Sequence, residues 1–297
     1  MDGILNIDKP PGKTSYGVVA VIKRLSGEKH VGHAGTLDPD ATGVLPVCLG
    51  RGTRIVEFLV DATKVYRAEI ELGAATDTYD ASGRVIRRGD ASKIDRAQVE
   101  SALEDFRGAI QQTPPMYSAV KHKGKPLYTL ARAGIEVTRK SRTVKVHRLE
   151  LLEWNHPAFT IEVECGKGTY IRSLANDLGQ ALGCGAYLKR LVRTRCGVFD
   201  IKDAVGMLKL EEAFRHGYWE QFMYPVDIVL QHFKAVVLDE DTEAAVRNGS
   251  PVALEKTAVE GRAKQKYCRA YAVDGRFLGI LRYVPDKGIW QPKKVLV

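Results

Sequence analysis

The sequence predicts an α+β fold built around a largely antiparallel mixed sheet, with a small β-rich domain at its C-terminal end. Residues 66–72 and 159–165 alternate apolar and polar side chains strictly, as strands with one wet face do. Residues 18–25 and 171–178 space their apolar positions at helical intervals instead. Beyond about residue 230 the texture changes to short β runs separated by turns, which sets a unit of residues 231–297 apart from a larger one of residues 1–230. At 297 residues and 44% hydrophobic content the chain can bury a real core.

In chain order, an apolar run at residues 4–7 is stopped by Lys9-Pro10-Pro11-Gly12. Val18, Val19, Ile22 and Leu25 then form one helical face, and Thr14 or Ser15 is the natural N-cap, because either hydroxyl can accept from the free N–H groups of the first turn. Tyr66, Ala68, Ile70 and Leu72 share one face of the first alternating strand, with Arg67, Glu69 and Glu71 on the other. Phe159, Ile161, Val163 and Cys165 repeat the pattern, and Gly166-Lys167-Gly168 turns that strand into the helix of Ile171, Leu174, Ala175 and Leu178. In the tail, β runs are expected at residues 235–238, 251–254, 267–273, 277–283 and 294–297, with turns at Asp274-Gly275 and Asp286-Lys287-Gly288.

Charge points to a polyanionic partner: 45 Lys and Arg against 36 Asp and Glu give +9. Residues 121–148 carry nine Lys or Arg and only Glu136 in opposition, so nearly the whole excess is one stretch. The five cysteines form no CxxC pair and show no zinc-ligand spacing with the histidines; they read as inert thiols, and no metal is expected. With no signal peptide and no apolar stretch of about 18 residues, a cytoplasmic location away from membranes is expected.

Two phosphate-binding signatures fail. Gly12-Lys13-Thr14 has Ile7 where a P-loop needs its first Gly, and Gly166-Lys167-Gly168 has Ile171 where a dinucleotide fingerprint needs its third. The informative segment is His33-Ala34-Gly35-Thr36-Leu37-Asp38-Pro39-Asp40-Ala41-Thr42-Gly43-Val44-Leu45-Pro46, a carboxylate in a loop rich in Gly, Thr and Pro. On composition alone Asp38 would simply cap a turn. Tyr66 on its apolar face would be core, and Arg172 an exposed helix charge. Arg139, Lys140, Arg142, Lys145 and Arg148 would be a solvated strand or edge protection.

Gly35-Thr36-Leu37-Asp38-Pro39, preceded by Asn6-Ile7-Asp8-Lys9-Pro10, resembles the TruB family of bacterial tRNA pseudouridine synthases. Further matches follow in order: Lys64-Val65-Tyr66, Thr76-Asp77-Thr78-Tyr79-Asp80, Pro114-Pro115-Met116-Tyr117-Ser118-Ala119 and Lys167-Gly168-Thr169-Tyr170-Ile171-Arg172-Ser173. The likeness covers roughly residues 3–230, and the tail resembles a PUA-like RNA-binding domain. It implies a pseudouridine synthase-like catalytic domain that isomerises the uridine at position 55 of the tRNA T loop, with Asp38 as nucleophile and Tyr66 and Arg172 completing the catalytic group. His33 would pack against the flipped nucleotide, Tyr170 and Leu191 would line the base pocket beside Tyr66, and Arg54 would meet the RNA backbone. Arg54 departs from the Lys more usual there, which keeps the charge and alters its geometry. The region of about residues 111–150 resembles an insertion that clamps the stem-loop, with Lys189, Arg190, Arg193 and Arg195 lining the same face. A monomer needing no guide RNA or protein partner is expected.

The chemistry suits these residue types. Isomerising uridine breaks N1–C1′ and joins C5 to C1′ with no net change of electrons, so no cofactor is demanded. A carboxylate can attack C1′ or C6 and later leave. Burial would neutralise it, and Arg172 is the cation that could keep it ionised: at about 4 Å and an effective dielectric near 20 the attraction is on the order of 4 kcal/mol. Tyr66 could stack on the uracil and help move the C5 proton. A non-catalytic RNA-binding or tRNA-folding module of the same fold is the rival reading. It differs at Asp38, since binding alone disfavours a carboxylate beside phosphates.

Overall fold

The computed structural model describes residues 1–254 and 266–297. Its larger part is a mixed sheet of eleven strands, whose spine runs in the order Val205–Gly206, Gly3–Lys9, Thr42–Leu49, Ala186–Cys196, Lys64–Leu72, Ala158–Cys165, Arg142–Asn155 and Gly108–Gln112. Along this spine only Gly3–Lys9 with Val205–Gly206 and Thr42–Leu49 with Ala186–Cys196 pair in parallel. The expected α+β class with a largely antiparallel sheet is what forms.

Alternation explains the packing. Ala68, Ile70 and Leu72 enter the core with Phe159, Ile161 and Val163 from the next strand, while Tyr66, on the same face, is only half buried. Helix Ser15–Ser26 lays Val18, Val19 and Ile22 on that core. Its N-cap is Thr14, whose hydroxyl accepts from the Gly17 N–H at 2.9 Å. Ser15 turns inward instead: its hydroxyl donates to the Leu37 carbonyl at 3.0 Å and accepts from the Leu37 N–H at 2.9 Å, pinning the loop that carries Asp38. Helix Ile171–Ala181 packs against strand Ala186–Cys196 so tightly that a Cβ on Gly179 would lie 2.0 Å from the Ala186 nitrogen. That approach fixes the height of the helix's C-terminal end above the sheet.

Of the two alternatives that charge patterning offered for the basic stretch, the solvated strand surface fits residues 144–147, where buried valines alternate with exposed Lys145 and His147. Arg142–Asn155 lies inside the sheet, paired on both sides, with Val144 and Val146 buried; the edge strand is Gly108–Gln112. Edge protection therefore does not explain its charges. Residues 113–141 leave the sheet as an excursion holding a two-stranded hairpin, Lys121–His122 with Lys125–Pro126, and a short helix, Leu127–Arg132.

A second sheet holds Lys234–Leu238, Tyr267–Ala272, Phe277–Val284 and Ile289–Val295 in that order. The expected run at 251–254 is not a strand: Val252 makes a single bridge to Trp290. The last strand begins earlier than expected, and helix Glu240–Arg247, capped by Asp239, was not foreseen. Short and polar, it lacks an apolar stripe long enough to read. The two sheets share an apolar cluster in which Ile4, Val44, Cys48 and Ile55 meet Ile280 and Leu296. Among the described residues no helix is long and apolar enough to cross a membrane.

Candidate active site

The loop between strands Val31–His33 and Thr42–Leu49 is a built object rather than a slack connection. Ser15 holds Leu37, a turn closes from the Ala41 N–H to the Asp38 carbonyl at 3.2 Å, and the Lys9 ammonium reaches in from the end of the first strand. That ammonium is fully buried and donates to the carbonyls of Pro10, Lys13 and Pro39 at 2.6–2.9 Å. Burial pushes its pKa down to about 8, and the charges of Asp40 and Asp38 oppose the fall. Lys9 thus stitches three backbone segments together beneath the acidic loop.

The Asp38 carboxylate points from this loop to Arg172. The Arg172 Nη2 donates to Oδ1 at 3.0 Å, and Nε lies 2.9 Å from Oδ2, a close ionic contact without the alignment of a second hydrogen bond. The same guanidinium meets Asp80 at 3.4 Å and donates to the carbonyls of Tyr117 at 2.8 Å and Thr78 at 3.4 Å. Arg172 is 6% exposed and stands in the first turn of its helix, where the macrodipole disfavours a cation. Asp38 and Asp80 offset that cost. Asp38 itself keeps 41% of its side chain open to solvent. Desolvation raises its pKa, Arg172 pulls it back, the Asp80 charge raises it again, and Lys9 helps lower it; the net direction is up.

The other expected residues distribute around this pair. Tyr170, immediately before the helix, is clamped through its backbone by the buried Gln112 side chain, which accepts from its N–H at 2.7 Å and donates to its carbonyl at 2.9 Å. The Arg142 guanidinium lies 5.0 Å above its ring and also donates to Gly168. Tyr66 and Leu191 sit on adjacent strands, Leu191 buried; burial drives the Tyr66 phenol pKa upward. His33 ends the strand before the loop, with a buried Nδ1 that lacks a protein partner and a pKa lowered by burial and then by the charge of Arg193.

Several of the cations are engaged within the protein. Arg54, still exposed, donates to the Val295 carbonyl of the second sheet. Arg193 is buried, Lys189 pairs with Glu69 and Glu71, and Arg195 pairs with Glu164; of that cluster Arg190 alone stays largely exposed. Arg148 is engaged with Glu150, Glu162 and Glu164, and Arg139 with Pro114 and Glu136. Asp80, Lys9, Gln112 and Ser15 were missed in these roles. Asp80 and Lys9 stood inside quoted motifs, whereas nothing local marks Gln112.

The chain matches a known family. A model of the TruB family pseudouridylate synthase N-terminal domain matches residues 23–171, and one of the tRNA pseudouridylate synthase B C-terminal domain matches residues 172–231. The chain belongs to the TruB family of pseudouridine synthases. TruB proteins named tRNA pseudouridine synthase B from Dehalococcoides mccartyi strain BAV1 and Clostridium tetani are 45% and 42% identical to it, over 100% and 94% of this chain and 97% and 95% of theirs. Among solved structures, a Cbf5-Nop10-Gar1 complex aligns over 99% of this chain and 85% of the other, with a TM-score of 0.76 and 28% identity. An H/ACA RNP bound to a substrate RNA containing 2′-deoxyuridine gives 0.74 and 26%, with the same two coverages. As a TruB protein the chain is an isomerase.

Proposed function

We propose that this synthase isomerises uridine 55 in the T loop of tRNA, with Asp38 as nucleophile toward a base flipped out of the loop. The observation that carries the reading is the Asp38–Arg172 pair, a carboxylate held ionisable and open to solvent by a buried, doubly countered arginine. A protein that only bound RNA would lose affinity by presenting that carboxylate to phosphates. Names of relatives supply the substrate class. In the reaction Asp38 attacks C1′ or C6 and the N1–C1′ bond breaks; the uracil turns, C5 joins C1′, and the bond to Asp38 breaks to return the free carboxylate. The C5 proton then leaves while N1 regains one, and Tyr66 assists that transfer. Tyr170, Leu191 and His33 enclose the base. Base flipping is required because an atom inside a folded loop is otherwise out of reach of Asp38.

The protein is expected to act in the cytoplasm as a monomer, without metal, nucleotide, guide RNA or protein partner. Residues 1–230 would carry the chemistry and a PUA-like unit of 231–297 would add affinity. Purified protein in EDTA should therefore convert the uridine of an isolated T-arm stem-loop, read as pseudouridine by chemical mapping. A strict need for a guide RNA or an added protein would refute this, and tight binding without product would favour an RNA-binding or tRNA-folding role.

The RNA grip is reassigned to the lysines that the fold leaves free. Lys121, Lys123, Lys125 and Lys140 are exposed on the excursion, whereas Arg139 and Arg142 serve the protein itself. Changing those four lysines to Gln should weaken RNA binding at low salt and make the slope of log K against log salt shallower by about 0.7 to 0.9 per lost contact. An unaltered slope would mean that the hairpin does not touch phosphate.

A further inference from the structure

Among the described residues Arg193 is the largest fully enclosed side chain, and no carboxylate pairs with it. Burying an arginine without a counter-ion is costly, and an isosteric apolar side chain would pack more cheaply. Its surroundings indicate what the charge is kept for. Nε donates to the Val44 carbonyl at 2.6 Å and Nη2 to the Gly35 carbonyl at 2.9 Å, the two ends of the loop that carries Asp38. Both glycines beside it are shaped around it: a Cβ on Gly35 would lie 3.3 Å from Nη1, and one on Gly43 would lie 2.3 Å from the Arg193 carbonyl oxygen. In the sheet Arg193 is the direct cross-strand partner of Tyr66, so the two side chains leave the same face side by side.

We propose that Arg193 is a positioning residue of the reaction, which ties the Asp38 loop to the Tyr66 strand and supplies the positive potential under which the Tyr66 hydroxyl gives and takes its proton. The proposal rests on the role assigned to Tyr66 above. Arg193 itself transfers no proton and touches no substrate. Burial raises the pKa of the Tyr66 phenol and Arg193 opposes that rise; Cys165 and Cys196 push it further up, and the Lys64 ammonium, two residues back on the same strand, donates to the carbonyls of Leu59, Val60 and Ala62. A neutral residue at 193 would make negative charge on the phenol oxygen less favourable.

The test uses the full chain with 3-fluorotyrosine at position 66, whose ionisation is followed by fluorine NMR while turnover is measured on the T-arm stem-loop. Arg193→Gln should raise the apparent pKa of the fluorophenol by about one unit or more, a tenfold change in its ionisation constant, and lower kcat with KM little altered. Arg193→Lys, which keeps the charge and loses the fork, should hold the phenol near its original titration and recover most of kcat. A folded Arg193→Gln protein whose fluorophenol titrates as before would overturn the electrostatic role, whatever its activity. Should Arg193→Gln fail to fold, Arg193→Lys decides: a folded Lys variant as inactive as a Tyr66→Phe control, or with a displaced phenol titration, overturns the proposal. If Tyr66→Phe turns over normally, the assignment of Tyr66 fails first, and that outcome is distinct from either of these.

Discussion

Replacing Asp38 by Asn should abolish turnover, by at least about 10⁴-fold, while RNA binding stays within about tenfold, or roughly 1.4 kcal/mol. Asn keeps the size and an oxygen that can accept from the Arg172 Nη2, so the loop pinned by Ser15 and Lys9 has no reason to move. What disappears is the anionic nucleophile, and the neighbouring Asp80 does not substitute for it, because it is engaged with Thr78, Ser82 and Arg172. Single-turnover assays with labelled stem-loop and a parallel binding titration separate the two quantities. Substantial pseudouridine from Asp38→Asn would remove Asp38 from the mechanism. Loss of binding in step with turnover would make it a structural residue.

Arg172→Met has the next largest effect, and its sign is set by pH. Desolvation already raises the Asp38 pKa, and Arg172 is the main force lowering it. The active form is the carboxylate, so kcat/KM should fall as the pH drops, along a limb lying above the ordinary aspartate value of 3.8. Without Arg172 that limb moves further toward neutral. Turnover at pH 7 should decrease by about 10² to 10³, the scale of losing one preorganised charge contact, and recover in part at higher pH. The attraction is weaker than a buried pair would give because Asp38 is partly solvated. A pH–rate profile for each protein measures it. Parallel profiles, with the limb in the same place, would mean that Arg172 acts on the fold and not on the nucleophile.

Much of the fold was legible because strands and helices announce themselves locally. The alternation at 66–72 and 159–165, the helical spacing after Thr14 and the Gly166-Lys167-Gly168 turn each encode one element within about ten residues. Helix Glu240–Arg247 escaped because its burial is confined to a single residue, Val246. The partnership of Asp38 and Arg172 was inferred from motif resemblance alone, since 134 residues separate them and no periodicity links the two.

The chain's own pattern determined the alternating strands, the acidic loop and the amount of positive charge. Which cations are engaged within the protein was decided only by the tertiary structure. Arg139, Arg142, Arg148, Arg193 and Lys189 look alike in the sequence as members of basic clusters. In the fold they hold Pro114, Gly168, Glu162, Gly35 and Glu71, while Lys121, Lys123, Lys125 and Lys140 remain at the surface. The reason is physical. A guanidinium's fork of fixed N–H directions is useful only when acceptors from distant segments converge on it, and that convergence exists only once the sheet has assembled.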